Sequence, residues 1–319
     1  MIEVQNLSKT YGASRAVEDV SFSVGKGEIL GFLGPNGAGK TTTMRVLTCF
    51  MAPTSGTARI AGHDILESSL EVRRNIGYLP ENAPLYLEMT VRDYLGHVAA
   101  LRGVPKSKRN ERLEAALDAG KIEDHADTII RKLSKGYRQR VGIAQAVIHD
   151  PPVLILDEPS AGLDPRQRVE TRRFIRSLAK DHTIILSTHI LPDVQETCDR
   201  VVIINKGKIV ASDSTANLSS SGHAKQRILI TLNRAPEGAS QTLLNMKGVT
   251  NVVQTSAFQT SGDETGAGST LALEVEGEID LREEVARLCV QQNWGLLELT
   301  RSRTNLEDVF LELTTKNEL

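Results

Sequence analysis

No run of apolar residues in this 319-residue chain is longer than a strand. A bilayer-crossing helix needs about 20 such residues, so the sequence holds no transmembrane segment, and its opening residues carry no signal-peptide apolar core. Cysteine is scarce: Cys49, Cys198 and Cys289 are far apart and form no CxxC pair. That excludes a disulfide framework and a cysteine zinc site, and it points to reduced thiols and a cytosolic compartment. Charge of one sign is also missing. The formal net charge is −2, so no chain-wide basic excess directs the protein to nucleic acid. His63, His97, His125, His149, His182 and His223 show no metal-ligand spacing with one another or with cysteine. They are surface or core residues, and the basic run Lys106, Lys108, Arg109 and Arg112 is a solvated helix face.

What is present is an alternation of short apolar runs and helical patterns. Residues 29–33, 153–156 and 183–186 are continuous apolar runs, which are characteristic of strands buried on both faces. Residues 2–7 and 20–24 are further strands, and 201–204 with 208–211 form a hairpin around Asn205-Lys206-Gly207. Between about 82 and 150 the pattern is mostly helical, most clearly at 109–119 and 136–149. Asp164-Pro165 opens another helix, with Asp164 as cap and proline at the first helical position. Strand, helix and strand in this order predict a parallel sheet with crossover helices.

Composition changes at Ser219-Ser220-Ser221-Gly222, a linker. Beyond it the order is strand 227–232, helix 240–246, strand 249–254, strand 271–275, helix 281–293 and strand 296–300. This is the β-α-β-β-α-β order of a ferredoxin-like unit. Residues 256–269 are a Ser/Thr/Gly-rich loop, and a last helix over 305–313 has a capping box of Thr304 and Glu307. Trp294 and Phe310 are assigned to the core of this smaller domain. The fold class expected is therefore α/β, with a P-loop NTPase domain over 1–218, a helical subdomain at about 82–150, and an α+β ferredoxin-like domain over 219–319.

The segment Gly34-Pro35-Asn36-Gly37-Ala38-Gly39-Lys40-Thr41-Thr42 matches G-x-x-x-x-G-K-[ST] between a buried strand and a helix. Its glycines let backbone N–H groups converge on phosphate oxygens, and the helix start adds partial positive charge. Lys40 is expected on the β- and γ-phosphates, and Thr41 on Mg²⁺. The strand 153–156 ends in Asp157 and Glu158, where carboxylates of a parallel sheet face bound phosphates. Asp157 is expected to hold Mg²⁺ through water, and Glu158 to orient or deprotonate the attacking water.

Upstream of that strand stands Leu133-Ser134-Lys135-Gly136-Tyr137-Arg138-Gln139-Arg140, opening a helix with Ser134 as a good N-cap. Here the chain resembles the ABC ATPase family, whose signature at this place is LSGGQ. The resemblance covers about residues 2–215. It implies that Tyr11 stacks on adenine, that Ser160-Ala161-Gly162-Leu163-Asp164 is the D-loop, and that His189 is the switch histidine sensing the γ-phosphate. It also implies a head-to-tail homodimer in which Ser134 and Gly136 of one subunit cover the ATP of the other. Two positions depart from the family pattern. Lys135 replaces the first signature glycine, with a cation that either approaches phosphate or faces solvent. Glu81, in Gly77-Tyr78-Leu79-Pro80-Glu81, stands at the Q-loop glutamine; an ionised Glu accepts hydrogen bonds but does not donate them, so it is expected to ligate Mg²⁺ without reproducing every glutamine contact.

With the ending at 305–314, these segments resemble an exporter-type branch that includes gliding-motility, multidrug and sodium export ATPases. The implied protein is a bacterial ATP-hydrolysing subunit using ATP and Mg²⁺, peripheral on the cytoplasmic face of the membrane, and coupled to separate permease subunits without direct nucleic-acid binding. A soluble ABC ATPase acting on DNA or ribosomes is the alternative, but the chain lacks coiled-coil heptads and a second phosphate loop. A regulator that binds ATP without hydrolysing it is disfavoured by Glu158 and His189.

Overall fold

The computed structural model describes residues 1–215, 217, 226–233, 236, 238–259, 269–277, 280–302 and 310. The chain divides into two compact units, the first holding Met1–Thr215 and the second Ala216–Glu312. The expected linker at 219–222, the capping box of Thr304 and Glu307, and most of the last helix lie outside the described residues.

The first unit contains two sheets. One is antiparallel, in the order β2-β1-β4-β5, from β1 (Ile2–Tyr11), β2 (Ser14–Val24), β4 (Ser55–Ile60) and β5 (His63–Asp64). Its strands alternate buried and exposed residues, as in Ile2, Glu3 and Val4, because one face packs on the core. The other sheet has six strands in the order β10-β9-β3-β8-β7-β6. These are β3 (Ile29–Leu33), β6 (Ile76–Leu79), β7 (Val153–Asp157), β8 (Thr183–Thr188), β9 (Arg200–Asn205) and β10 (Lys208–Ser214). All neighbours are parallel except the β9–β10 hairpin. Every residue of β3, β7 and β8 is buried, which is why the stretches 29–33, 153–156 and 183–186 within them are largely apolar. Leu30, Phe32, Met44, Ile155, Ile185 and Val202 meet in the main core. Emptying a site such as Phe32 would cost about 3–5 kcal/mol.

The helices of this unit are α1 (Lys40–Leu47), α2 (Ser69–Arg74), α3 (Val91–Leu101), α4 (Arg109–Gly120), α5 (Lys135–Val147), α6 (Pro165–Leu178) and α7 (Leu191–Thr197). Helices α3, α4 and α5 pack together to make the helical region, with Leu95, Leu113, Leu117 and Ile143 buried. Three caps fix where helices begin. Thr90 Oγ1 accepts from the Asp93 N–H, Ser134 from Tyr137, and Asp164 from Gln167.

The second unit contains β11 (Gln226–Leu232), α8 (Ala239–Leu244), β12 (Val249–Gln259), β13 (Ser269–Gly277), α9 (Arg282–Gln291) and β14 (Leu296–Ser302). Its antiparallel order β12-β13-β11-β14 sets the first strand between the third and the fourth, as in a ferredoxin-like unit. Leu243, Val285, Cys289 and Trp294 close over Ile228, Ile230, Leu273 and Val275, giving this unit its own core. Phe310 is only half-buried.

Candidate active site

The segment expected to bind phosphate turns sharply between β3 and α1. The Gly34 N–H donates to Thr188 O at 3.3 Å, and Ala38 N–H to Pro35 O at 3.2 Å. Gly39 has φ 107°, and a Cβ there would stand 2.5 Å from Ala16 O, so only glycine fits this corner. As the cap of α1 it offers no side chain to the first-turn N–H groups. Those donors therefore face outward toward an acceptor from outside the helix.

Lys40 is 5% exposed. Its Nζ donates to Gly34 O at 2.8 Å and Pro35 O at 3.1 Å, and lies 3.3 Å from Glu158 Oε1. Glu158 Oε2 is 2.9 Å from His189 Nδ1. An ionised carboxylate only accepts, so Nδ1 then carries the hydrogen and Nε2 is turned to other partners. Glu158 itself has φ 51°, in the left-handed region unfavourable to a side chain. Its N–H donates to Ser187 O at 2.9 Å and its carbonyl accepts from Ala161 at 3.1 Å, which hold that conformation. Strain of this kind gathers at functional positions.

Asp157 is fully buried beside Glu158. Its Oδ1 accepts from Ser187 Oγ at 2.7 Å and from Thr41 Oγ1 at 3.4 Å. Burial pushes its pKa up, hydrogen bonds from Ser187 and Thr41 oppose this, and the charges of Glu158 and Glu81 push it up further. Asp157 Oδ2 has no hydrogen-bond partner. A buried carboxylate oxygen left open, next to a threonine hydroxyl, fits an oxygen-seeking divalent cation such as Mg²⁺. Among the described residues no three His, Cys, Asp or Glu side chains form a metal-binding group. Such an ion would therefore complete its shell with water and phosphate, as Mg²⁺ does in phosphate sites.

A cavity of about 360 Å³ joins Asn36, Gly37, Gly39, Lys40, Thr41, Thr42, Glu81, Glu158 and His189. Ala16 and Ala161 also line it; Ala161 stands in the segment expected to be the D-loop, and no motif announces Ala16. Ser187 was likewise silent as a lone serine, although its parallel register with Asp157 sets it there. Gly34 and Ala38 are buried behind the loop.

The remaining residues singled out in the sequence lie elsewhere. Tyr11 ends β1 and is exposed, with its hydroxyl donating to Met51 Sδ at 2.9 Å. Ser134, Gly136 and Asp164 line a second cleft with Tyr137, Arg140 and Gln167. The two capped ends of α5 and α6 thus form a separate donor-rich surface of the same chain. Lys135 is exposed, and its Nζ lies 2.0 Å from where a Cβ on Gly162 would be, so the cation lies over the D-loop.

The ABC transporter family model matches residues 17–161. The bacitracin transport ATP-binding protein BcrA of Bacillus licheniformis is 32% identical over 315 residues, 98% of this chain and 97% of its own length. The Nod factor export ATP-binding protein I of Paraburkholderia xenovorans is 34% identical over 314 residues, 98% of this chain and 96% of its own. Among solved structures, an ATP-binding subunit of an ABC transporter is 33% identical with a TM-score of 0.62, covering 69% of this chain and 92% of that one.

Proposed function

This chain belongs to the ABC transporter ATP-binding family, and from that premise we propose that it works as a head-to-tail homodimer driving a separate export permease. The observation that carries this reading is the separation of two surfaces. One cavity gathers Lys40, Thr41, Glu158 and His189, and a different cleft gathers Ser134, Gly136 and Asp164. Two chains related by a twofold axis bring each surface against its opposite, making two equal composite sites.

In this site the phosphates of ATP lie on the backbone N–H groups of the loop from Gly34 to Thr42. Lys40 exchanges its carbonyl contacts for the β- and γ-phosphate oxygens. Tyr11 packs on the adenine. Mg²⁺, when bound, neutralises phosphate charge; Thr41, Asp157 through water, and Glu81 would hold it. Glu158 takes a proton from the attacking water as its oxygen bonds to the γ-phosphorus and the bond to the β-phosphate oxygen breaks, releasing ADP and phosphate. His189 fixes Glu158 and senses the γ-phosphate. Ser134 and Gly136 of the partner subunit close over that phosphate, with Asp164 shaping the loop between the chains. Closure on ATP and opening after hydrolysis supply the motion that the permease uses.

Export is supported by the full-length likeness to a Nod factor export protein. Attachment to a membrane through partners is supported by the family and by the absence, among the described residues, of any helix long and apolar enough to span a bilayer.

Glu158→Gln tests the reading. Turnover should fall by about 10²–10⁴-fold while ATP stays bound and the chains sediment as a dimer. A variant hydrolysing ATP at the wild-type rate removes Glu158 from this role.

A further inference from the structure

Helix α6 carries arginines at 168, 172 and 176, one every four residues and so along one stripe. Each holds a different part of the site's surroundings. Arg168 Nε donates to Leu163 O, in the D-loop, at 3.0 Å. Arg172 Nη1 is 3.2 Å from Asp193 Oδ1, and its Nη2 is 2.9 Å from Glu196 Oε2. Arg176 Nη1 donates to Thr197 O at 2.6 Å and to Asp199 Oδ1 at 2.9 Å. Asp193, Glu196 and Thr197 belong to α7, which starts two residues after His189. One helix therefore grips both the D-loop and the segment that carries the switch histidine.

His189 has need of such an anchor. Its side chain is 43% exposed, so packing does not fix the ring. Besides its contact with Glu158, the ring depends on the backbone that carries it. The Ile190 N–H donates to Thr188 Oγ1 at 3.0 Å, and the Asp193 N–H to Ile190 O at 3.1 Å. Asp193 closes this turn and is 1% exposed. Burial raises its pKa, and hydrogen bonds from Arg172 and Ser160 oppose that rise. Ser160 is itself buried at the start of the D-loop.

The pair is incompletely satisfied: Asp193 Oδ2 and Arg172 Nε are buried without hydrogen-bond partners. A buried ion pair of this kind is a poor source of stability, since apolar residues of similar volume hold two helices together as well or better. A charge-assisted contact supplies something apolar packing does not, a set direction and separation.

We propose that Arg172 and Asp193 are positioning residues for ATP hydrolysis, holding His189 against Glu158 and linking that contact through α6 to the D-loop. Neither lines the cavity that gathers Lys40, Glu158 and His189. The proposal rests on the role given to His189 above.

The test is a double-mutant cycle on the full chain with ATP. Arg172→Met should lower kcat by about 10-fold and leave KM for ATP within about 2-fold. In a His189→Ala background the same substitution should cause no further loss of kcat, because the residue it positions is gone. Asp193→Asn, which keeps the shape of the side chain, should behave as Arg172→Met does. Equal losses of kcat in both backgrounds, or unchanged kcat, overturn the proposal. So does a pair of variants that no longer fold and bind ATP, which would make the contact structural. His189→Ala with wild-type kcat overturns the assignment of His189 instead, so the two failures are distinguishable.

Discussion

Lys40 and Glu158 form a buried couple whose members are assigned different steps in the proposed mechanism. The ammonium is held by two backbone carbonyls and one carboxylate oxygen, all of which triphosphate oxygens can replace. Lys40→Ala should therefore weaken ATP binding by at least about 10-fold, a loss of about 1.4 kcal/mol or more, read by titration with a fluorescent nucleotide. Unchanged affinity would remove Lys40 from the phosphate site. These residues were legible because a spaced motif and an apolar strand end announced them. The partners that orient them were not. Ser187 is one serine among many, and the contact between His189 and Glu158 joins residues 31 positions apart. Lys135 left two readings open in the sequence; it is exposed, and its cation lies over Gly162.

Helix α5 is tied to the edge strand β6 just beyond its C-terminal end. His149 Nε2 lies 3.1 Å from Ile76 O, so that nitrogen carries a hydrogen, and the buried Nδ1 has no partner. Burial and the nearby charges of Arg102 and Arg112 push its pKa down to about 4. An unfolded histidine titrates near 6.5. As pH falls, the unfolded chain takes up the proton first, so this contribution is present above about pH 6.5 and is lost progressively toward pH 4. The loss is up to about 3 kcal/mol. Denaturant titrations should show the wild-type chain losing stability over this interval and His149→Gln losing less. Parallel pH profiles for the two chains would contradict this. Strands buried on both faces were legible as apolar runs, as at 29–33 and 183–186. Strand β6 was not, since Ile76-Gly77-Tyr78-Leu79 is short and broken by a glycine. The antiparallel β4 was equally hidden, because Thr57 and Arg59 interrupt any apolar run and it pairs with distant residues of β1, and β5 is only the two residues His63–Asp64 paired to β4.

At the scale of the whole molecule, the nucleotide chemistry belongs to the first unit, while the second is organised around its own core. Both ends of the segment 256–269 expected as a loop are strand, since β12 runs to Gln259 and β13 begins at Ser269, but the β-α-β-β-α-β order of the second unit was legible in its apolar patterns. What it does was not, because no residues there carry a chemical motif. On the proposed reading, the two surfaces of the first unit are the halves of an ATP site that a head-to-tail dimer would join.

Mixing two inactive chains tests that claim most directly. Lys40→Ala removes the phosphate contact of its own subunit, and Ser134→Arg blocks the surface offered to the partner. In a head-to-tail dimer of one variant with the other, both lesions fall in one site and the second site is intact. An equimolar mixture should recover about a quarter of the wild-type ATP turnover, since random pairing makes half the dimers mixed and each has one working site. A mixture no faster than the separate variants would contradict the composite site.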